Sequence, residues 1–143
     1  MVSSPLGNGR TAWIAAAASL AVAIVLGAFG AHALEVALPA DRLDAYRTAS
    51  QYHYYSCFFL FVLALTRAHL GTNQPAVDAT LSKAQACWGW GSILFCGSVY
   101  LVSVRGLIGM EPASWLGAVA PLGGTLLIIG AVLAVWAVAR QTP

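Results

Sequence analysis

Along the chain, long apolar blocks are cut by short charged segments, and the charges mark where each block ends. There are 24 uncharged residues between Arg10 and Glu35, 19 between Arg47 and Arg67, 21 between Lys83 and Arg105, and 28 between Glu111 and Arg140. A helix needs about 20 mostly apolar residues to cross a hydrocarbon core about 30 Å thick, so every block reaches or nearly reaches a span. In lipid only helices and closed barrels satisfy their backbone groups, and barrel strands alternate apolar and polar positions over about ten residues. These blocks are continuous, which predicts an all-α integral membrane protein, a four transmembrane helix bundle forming a single membrane domain over residues 1–143. Spans are expected at about 13–34, 48–68, 84–104 and 115–139, with an amphipathic lead-in at 41–47 that runs along or above the headgroups.

Within these blocks the small and polar residues recur at helical spacing. Ala23, Gly27 and Ala31, with Gly30 beside them, form a small-residue stripe on the first helix that suits close helix packing. Pro39 closes the next connection and Asp41 is a good N-cap. On the second helix Tyr46, Ser50, His53 and Cys57 follow at intervals of 4, 3 and 4, a polar stripe on one face. Arg67 to Lys83 reads as a polar loop, and Ser92, Cys96, Tyr100 and Ser103 make a matching stripe on the third helix. In the fourth, Pro121 followed by Gly123 and Gly124 predicts a kink near the start. Gly97, Pro121, Gly123 and Gly124 join Gly27, Gly30 and Ala31 as the expected helix-packing motif.

Composition removes the soluble alternative: 59% of residues are hydrophobic and 8% charged, where soluble domains carry about 25% charge. A net charge of +2 with no run of five like charges leaves no patch for nucleic acid. The expected partners are the lipid bilayer and another membrane protein or a second copy of the chain. Ala31-His32-Ala33 has the small-x-small form of a signal cleavage site, but the apolar run from Trp13 to Phe29 exceeds a signal h-region of about 7 to 15 residues, so it is read as a retained span. With four spans both termini share a side, where Arg10, Arg67, Lys83 and Arg140 face Arg42, Arg47 and Arg105 opposite. Four against three favours cytoplasmic termini in a bacterial inner membrane.

Threading the helices through the bilayer places His32, His53, Tyr100 and Pro121 in the half away from the termini. Cys57 and Cys96 sit about nine residues in, near 13 Å deep at about 1.5 Å per residue. The candidate functional polar cluster is therefore His32, His53, Tyr100, Cys57, Cys96 and Ser50. Ionisable residues inside spans point to function or to a partnered role. Glu35 lies three residues beyond His32, so an interfacial ion pair accounts for that imidazole. An interhelical hydrogen bond worth about 0.6 to 2 kcal/mol accounts for His53. A metal would need three or four convergent ligands, haem a deeper pair of histidines, and nucleophilic catalysis by Cys57 a group to orient His53 as base. The chain supplies none of these, so no cofactor, metal or catalytic residue is expected.

GAFGAHAL in the first helix, SQYHYYS in the second, LFCGSVY in the third and APLGGTLLIIG in the fourth resemble, in the same order, the small four-span membrane proteins of domain of unknown function 423. That uncharacterised family includes YgdD-like bacterial proteins and a small eukaryotic transmembrane protein. The resemblance runs from about Gly27 to Ala137 and implies a fold and a membrane location, but no activity. It marks Gly27, Gly30, His32, Tyr52, His53, Gly97, Ser98, Tyr100, Pro121, Gly123 and Gly124. Many members carry histidine where this chain has Ser56, and tryptophan where it has Ala131.

With small-residue faces on three helices leaving little volume for a cavity, the expectation is a structural, assembly or accessory membrane protein without enzymatic activity. A small transporter or proton-linked channel using His53 is the first alternative. A membrane enzyme or redox accessory acting on lipid or quinone through His32, His53 and Tyr100 is the second.

Overall fold

The computed structural model describes residues 9–71, 74–110 and 115–140. Residues 1–8, and Glu111 and Pro112 in the last connection, lie outside them. Four helices make up the fold: α1 (Arg10–His32), α2 (Ala40–Leu70), α3 (Pro75–Val104) and α4 (Leu116–Ala139). Three of them, α1, α3 and α4, are long and apolar enough to cross a membrane. Helix α2 falls short of the same standard, because Tyr52, His53, Tyr54 and Tyr55 interrupt its apolar run and Arg47 and Arg67 bound it.

One boundary differs from expectation, the start of α3. The lead-in at 41–47 belongs to the same helix as the rest of α2, and Tyr46 on it is buried between α1 and α3. Helix α3 begins at Pro75, well before the expected 84. Proline is favoured at the first helical position, where a missing N–H costs nothing, and Asp78 in the first turn suits the helix dipole. The helix extends past its apolar window, so charge-to-charge counting marks the apolar window and not the helix start. Gly109 adopts φ +70° in the connection after α3, a left-handed conformation that glycine takes without steric cost.

Each helix packs chiefly on its chain neighbour, α1 on α2, α2 on α3 and α3 on α4. The pairs are antiparallel: Trp13 meets Phe61 while Gly30 meets Tyr46, and Phe59 stacks on Trp88 while Tyr46 meets Tyr100. Small residues form the seams. On α1 the buried positions are Ala16, Ala23 and Gly30, spaced by seven, the coiled-coil repeat. Ala31 is exposed, so the seam runs one residue away from the expected stripe. Between α3 and α4 the backbones nearly touch. A Cβ at Gly123 would collide with the Phe95 backbone, and one at Gly91 would lie 2.9 Å from the Leu127 nitrogen. Large apolar side chains such as Val25, Ile93, Ile128 and Val135 point outward, the arrangement that lipid, in place of water, accommodates.

Two apolar cores close the ends of the structure. One gathers Leu34, Leu43, Tyr46, Ala49, Cys96 and Tyr100, the other Leu63, Val77, Leu81, Ala84, Ala134 and Ala137. Polar side chains lie between them.

Candidate functional site

His53 stands midway along α2 and reaches both neighbouring helices. Its Nε2 lies 2.9 Å from Ser19 Oγ on α1, and its Nδ1 lies 3.5 Å from the Tyr100 hydroxyl on α3. Cys57, one turn further along α2, donates its thiol to Ser19 Oγ at 3.4 Å. Ser50, one turn back, lies beside the Tyr100 phenol. Tyr46 stacks against Tyr100 with centroids 4.8 Å apart and donates its hydroxyl to the Leu26 carbonyl at 2.8 Å. Cys96 is buried beside Ser92 and Cys57. One imidazole thus ties three helices.

The structure brings His53, Tyr100, Cys57, Cys96 and Ser50 together and leaves His32 out. His32 ends α1 thirteen residues beyond Ser19, about 20 Å along the helix at about 1.5 Å per residue. It is exposed there. The expected His32–Glu35 ion pair does not form, because Glu35 pairs with Arg47 across the α1–α2 turn at 3.3 Å. Nor does His53 sit at a helix end beside His32. It lies thirteen residues into α2, level with the middle of α1. Pro121 is exposed on α4 and takes no part in the cluster, and α4 runs through it as a continuous helix.

The packing glycines divide as well. Gly27 lies under Tyr54, whose hydroxyl would be 2.8 Å from an added Cβ, and Gly30 lies under the Tyr46 ring at 2.5 Å. Gly123 is a close-approach position, whereas Gly124 has only an ordinary contact with Phe95 at 3.8 Å. Gly97 has open space where a Cβ would stand. It packs against nothing and bares one wall of a cleft.

That cleft has a volume of about 370 Å³. It forms because α1 and α3 both lean on α2 but hardly touch each other. Ser19 and Val22 line it from α1, His53 from α2, and Ile93, Gly97 and Tyr100 from α3. The small residues that promised a cavity-free bundle thus do the opposite here: Gly89 and Gly97, two turns apart on α3, leave room that no neighbouring helix fills. Apart from His53, the cleft is lined by no lysine, arginine or carboxylate, and its other titratable groups are the Cys96 thiol and the Tyr100 phenol.

Sequence reasoning missed Ser19, a lone serine in AAAASLAVA whose partner lies 34 residues away. It also missed an ion pair at the other end of the molecule. There Arg67 grips Asp78 with two bonds, Nε to Oδ1 at 2.7 Å and Nη2 to Oδ2 at 3.2 Å, and donates through Nη1 to Gln85 Oε1 at 3.0 Å. Asp78 lies in the stretch that the sequence reads as a polar loop, and Arg67 at the end of the expected second span. The signal was the pairing of opposite charges flanking a short Gly-Pro turn between two helices. Among the described residues no three His, Cys, Asp or Glu side chains converge as a metal site would require.

Apolar helices with outward aliphatic side chains, small-residue seams and an internal polar cluster define a helical membrane protein. The chain belongs to the family described as "Protein of unknown function (DUF423)", whose family model matches residues 26–124. It is 37% identical over 123 residues to the UPF0382 membrane protein YwdK of Bacillus subtilis, covering 83% of this chain and 88% of that protein. A UPF0382 membrane protein of Staphylococcus epidermidis is 32% identical, covering 76% of this chain and 79% of the relative. One of Haemophilus influenzae is 31% identical, covering 75% and 76%. No solved structure matches the chain.

Proposed function

We propose that this is a non-enzymatic accessory or assembly protein of the bacterial inner membrane, in which all four helices cross and both termini lie in the cytoplasm. The observation that carries the reading is the engagement of both His53 ring nitrogens by side chains of two other helices. A general base needs a free nitrogen facing substrate and a group that orients the ring. Among the described residues no carboxylate or amide hydrogen-bonds to His53, and its hydrogen bonds run between helices, where they hold the bundle in register. Helix α2 packs antiparallel between α1 and α3 along most of its length, so if those two cross, α2 crosses with them. Its tyrosines and histidine are then supported by protein and not by lipid alone.

The transporter alternative is not favoured: a conducting path needs polar or charged groups continuing to both surfaces. The cleft beside His53 is lined by hydroxyls, a thiol and apolar groups and by no carboxylate, lysine or arginine. The ion pairs at the two ends, Arg47–Glu35 and Arg67–Asp78, are separate from it.

Isolation of the tagged chain at its native level, in polymer-bounded discs cut directly from membranes, tests the reading. An accessory role predicts a second membrane protein at reproducible stoichiometry. Recovery of the chain alone, with an ion flux in reconstituted vesicles that His53→Ala abolishes, would overturn it in favour of transport.

A further inference from the structure

The cleft between α1 and α3 has a hydrogen-bonding property that the helix tie leaves unused. Ser19, His53, Tyr100 and Cys57, with a neutral imidazole, carry four donor protons. They make three contacts with one another: Ser19 to His53, Tyr100 to His53, and Cys57 to Ser19. One proton is therefore not taken up by these three contacts, whichever tautomer is present. If Nε2 carries the ring proton it donates to Ser19, Tyr100 donates to Nδ1, and the Ser19 hydroxyl proton is surplus. If Nδ1 carries it, Ser19 donates to Nε2 and the Tyr100 proton is surplus. Both residues that hold the surplus donor line the cleft.

The position decides what acceptor can reach it. Ser19 lies nine residues from the start of α1 and thirteen from its end, about 14 and 20 Å at about 1.5 Å per residue. That is near the middle of a hydrocarbon core about 30 Å thick, where phospholipid headgroups and ester carbonyls do not reside. The walls are mostly apolar, and their polar groups are hydroxyls, the Cys96 thiol and the His53 imidazole with no carboxylate, lysine or arginine, which disfavours a charged amphiphile. Gly89 and Gly97 present bare backbone to the space, a flat wall against which a ring can lie. The volume of about 370 Å³ falls within the range of about 300–1,000 Å³ typical of small-molecule sites.

We propose that this cleft binds the ring of a neutral, lipid-soluble quinone, one carbonyl oxygen accepting the surplus proton of Ser19 or Tyr100 while the isoprenoid tail leaves between α1 and α3 into the bilayer. The proposal concerns binding and includes no electron transfer. It deepens the accessory reading by naming the molecule the protein holds for its partner, and it rests on α1, α2 and α3 crossing the membrane together.

The test uses the full chain in nanodiscs of synthetic phosphatidylcholine and phosphatidylglycerol, titrated with decylubiquinone and menaquinone-4. Bound quinone is measured after separation against empty discs. The expected result is one saturable equivalent per chain, weakened at least tenfold by Gly97→Leu and by Gly89→Leu, which fill open space, and several-fold by Ser19→Ala. Both leucine variants should melt like the parent, which separates a filled cleft from a broken fold. Quinone content equal to that of empty discs, unchanged binding in both leucine variants, or one tightly retained phospholipid that quinone cannot displace would each overturn the proposal. Reporter fusions at the two termini distinguish the failures: termini on opposite sides would remove the four-span arrangement, whereas lost binding with both termini inside removes only the ligand.

Discussion

His53 Nε2 on α2 stands 2.9 Å from Ser19 Oγ on α1, joining two helices whose other contacts are made mainly by small and aromatic residues. In lipid the hydrophobic effect does not distinguish one apolar helix pairing from another, so a polar contact of this kind selects the partner and the register. His53→Ala is expected to destabilise the protein by about 1–3 kcal/mol, since Ser19 and Tyr100 lose a shared partner and a void opens. Thermal unfolding in detergent should show a drop of several degrees. A variant that melts like the parent would mean that the imidazole serves something other than packing.

The α3–α4 seam depends on the absence of side chains at particular glycines. Gly123→Leu should disrupt the pairing, because its Cβ would fall on the Phe95 backbone, which has no rotamer with which to yield. Gly97→Ala should be neutral or slightly stabilising, because nothing lies within 4 Å of its added Cβ and alanine is the better helix former by about 0.5–1 kcal/mol. Parallel melting curves check the pair, and equal losses at the two positions would contradict the seam described above.

At the other end of α2, the Arg67–Asp78 pair is mostly shielded, with side-chain exposures of 18% and 19%. Asp78→Asn takes from the Arg67 guanidinium its anionic acceptor and is expected to cost about 1–3 kcal/mol. The double variant Arg67→Gln/Asp78→Asn should recover part of that loss. Melts of the two variants decide it: a double variant worse than Asp78→Asn alone would show that the charge on Arg67 is not the liability.

Tyr46 donates its hydroxyl to the Leu26 carbonyl while its ring covers Gly30. Tyr46→Phe keeps the ring and loses one hydrogen bond, for an expected cost of about 1 kcal/mol. Gly30→Val drives a branched side chain into that ring and should cost more. Denaturant-induced unfolding in mixed micelles measures both, and the reverse ranking would mean that the hydroxyl, not the close packing, holds α1 to α2.

Much of this architecture was legible in the residues. Uninterrupted apolar blocks can only be helices in lipid, so the all-helical class and helix order followed from where the charges fall. The stripe of Ser50, His53 and Cys57 at helical spacing placed three members of the cluster on one face, and Tyr100 sat on the matching stripe of α3. What one dimension could not carry was register between helices. Ser19 has no local signal, being one serine among alanines, and becomes a site residue only because antiparallel pairing sets it against His53. The same pairing put His32 level with the start of α2 and so removed it from the cluster. Gly97 reads like Gly123 in sequence, yet one faces a gap and the other a backbone, a difference made by which neighbours exist on each side of α3.

The central claim is that the His53–Ser19 contact holds α1 to α2, and a double-mutant cycle measures it most directly. Ser19→Ala, His53→Leu and the double variant, unfolded reversibly in one lipid-detergent mixture, isolate the coupling between the two side chains. A coupling of about 0.6–2 kcal/mol is predicted, the range for interhelical hydrogen bonds in membranes. Additivity of the two single effects within about 0.3 kcal/mol would contradict the account and leave His53 free for another role.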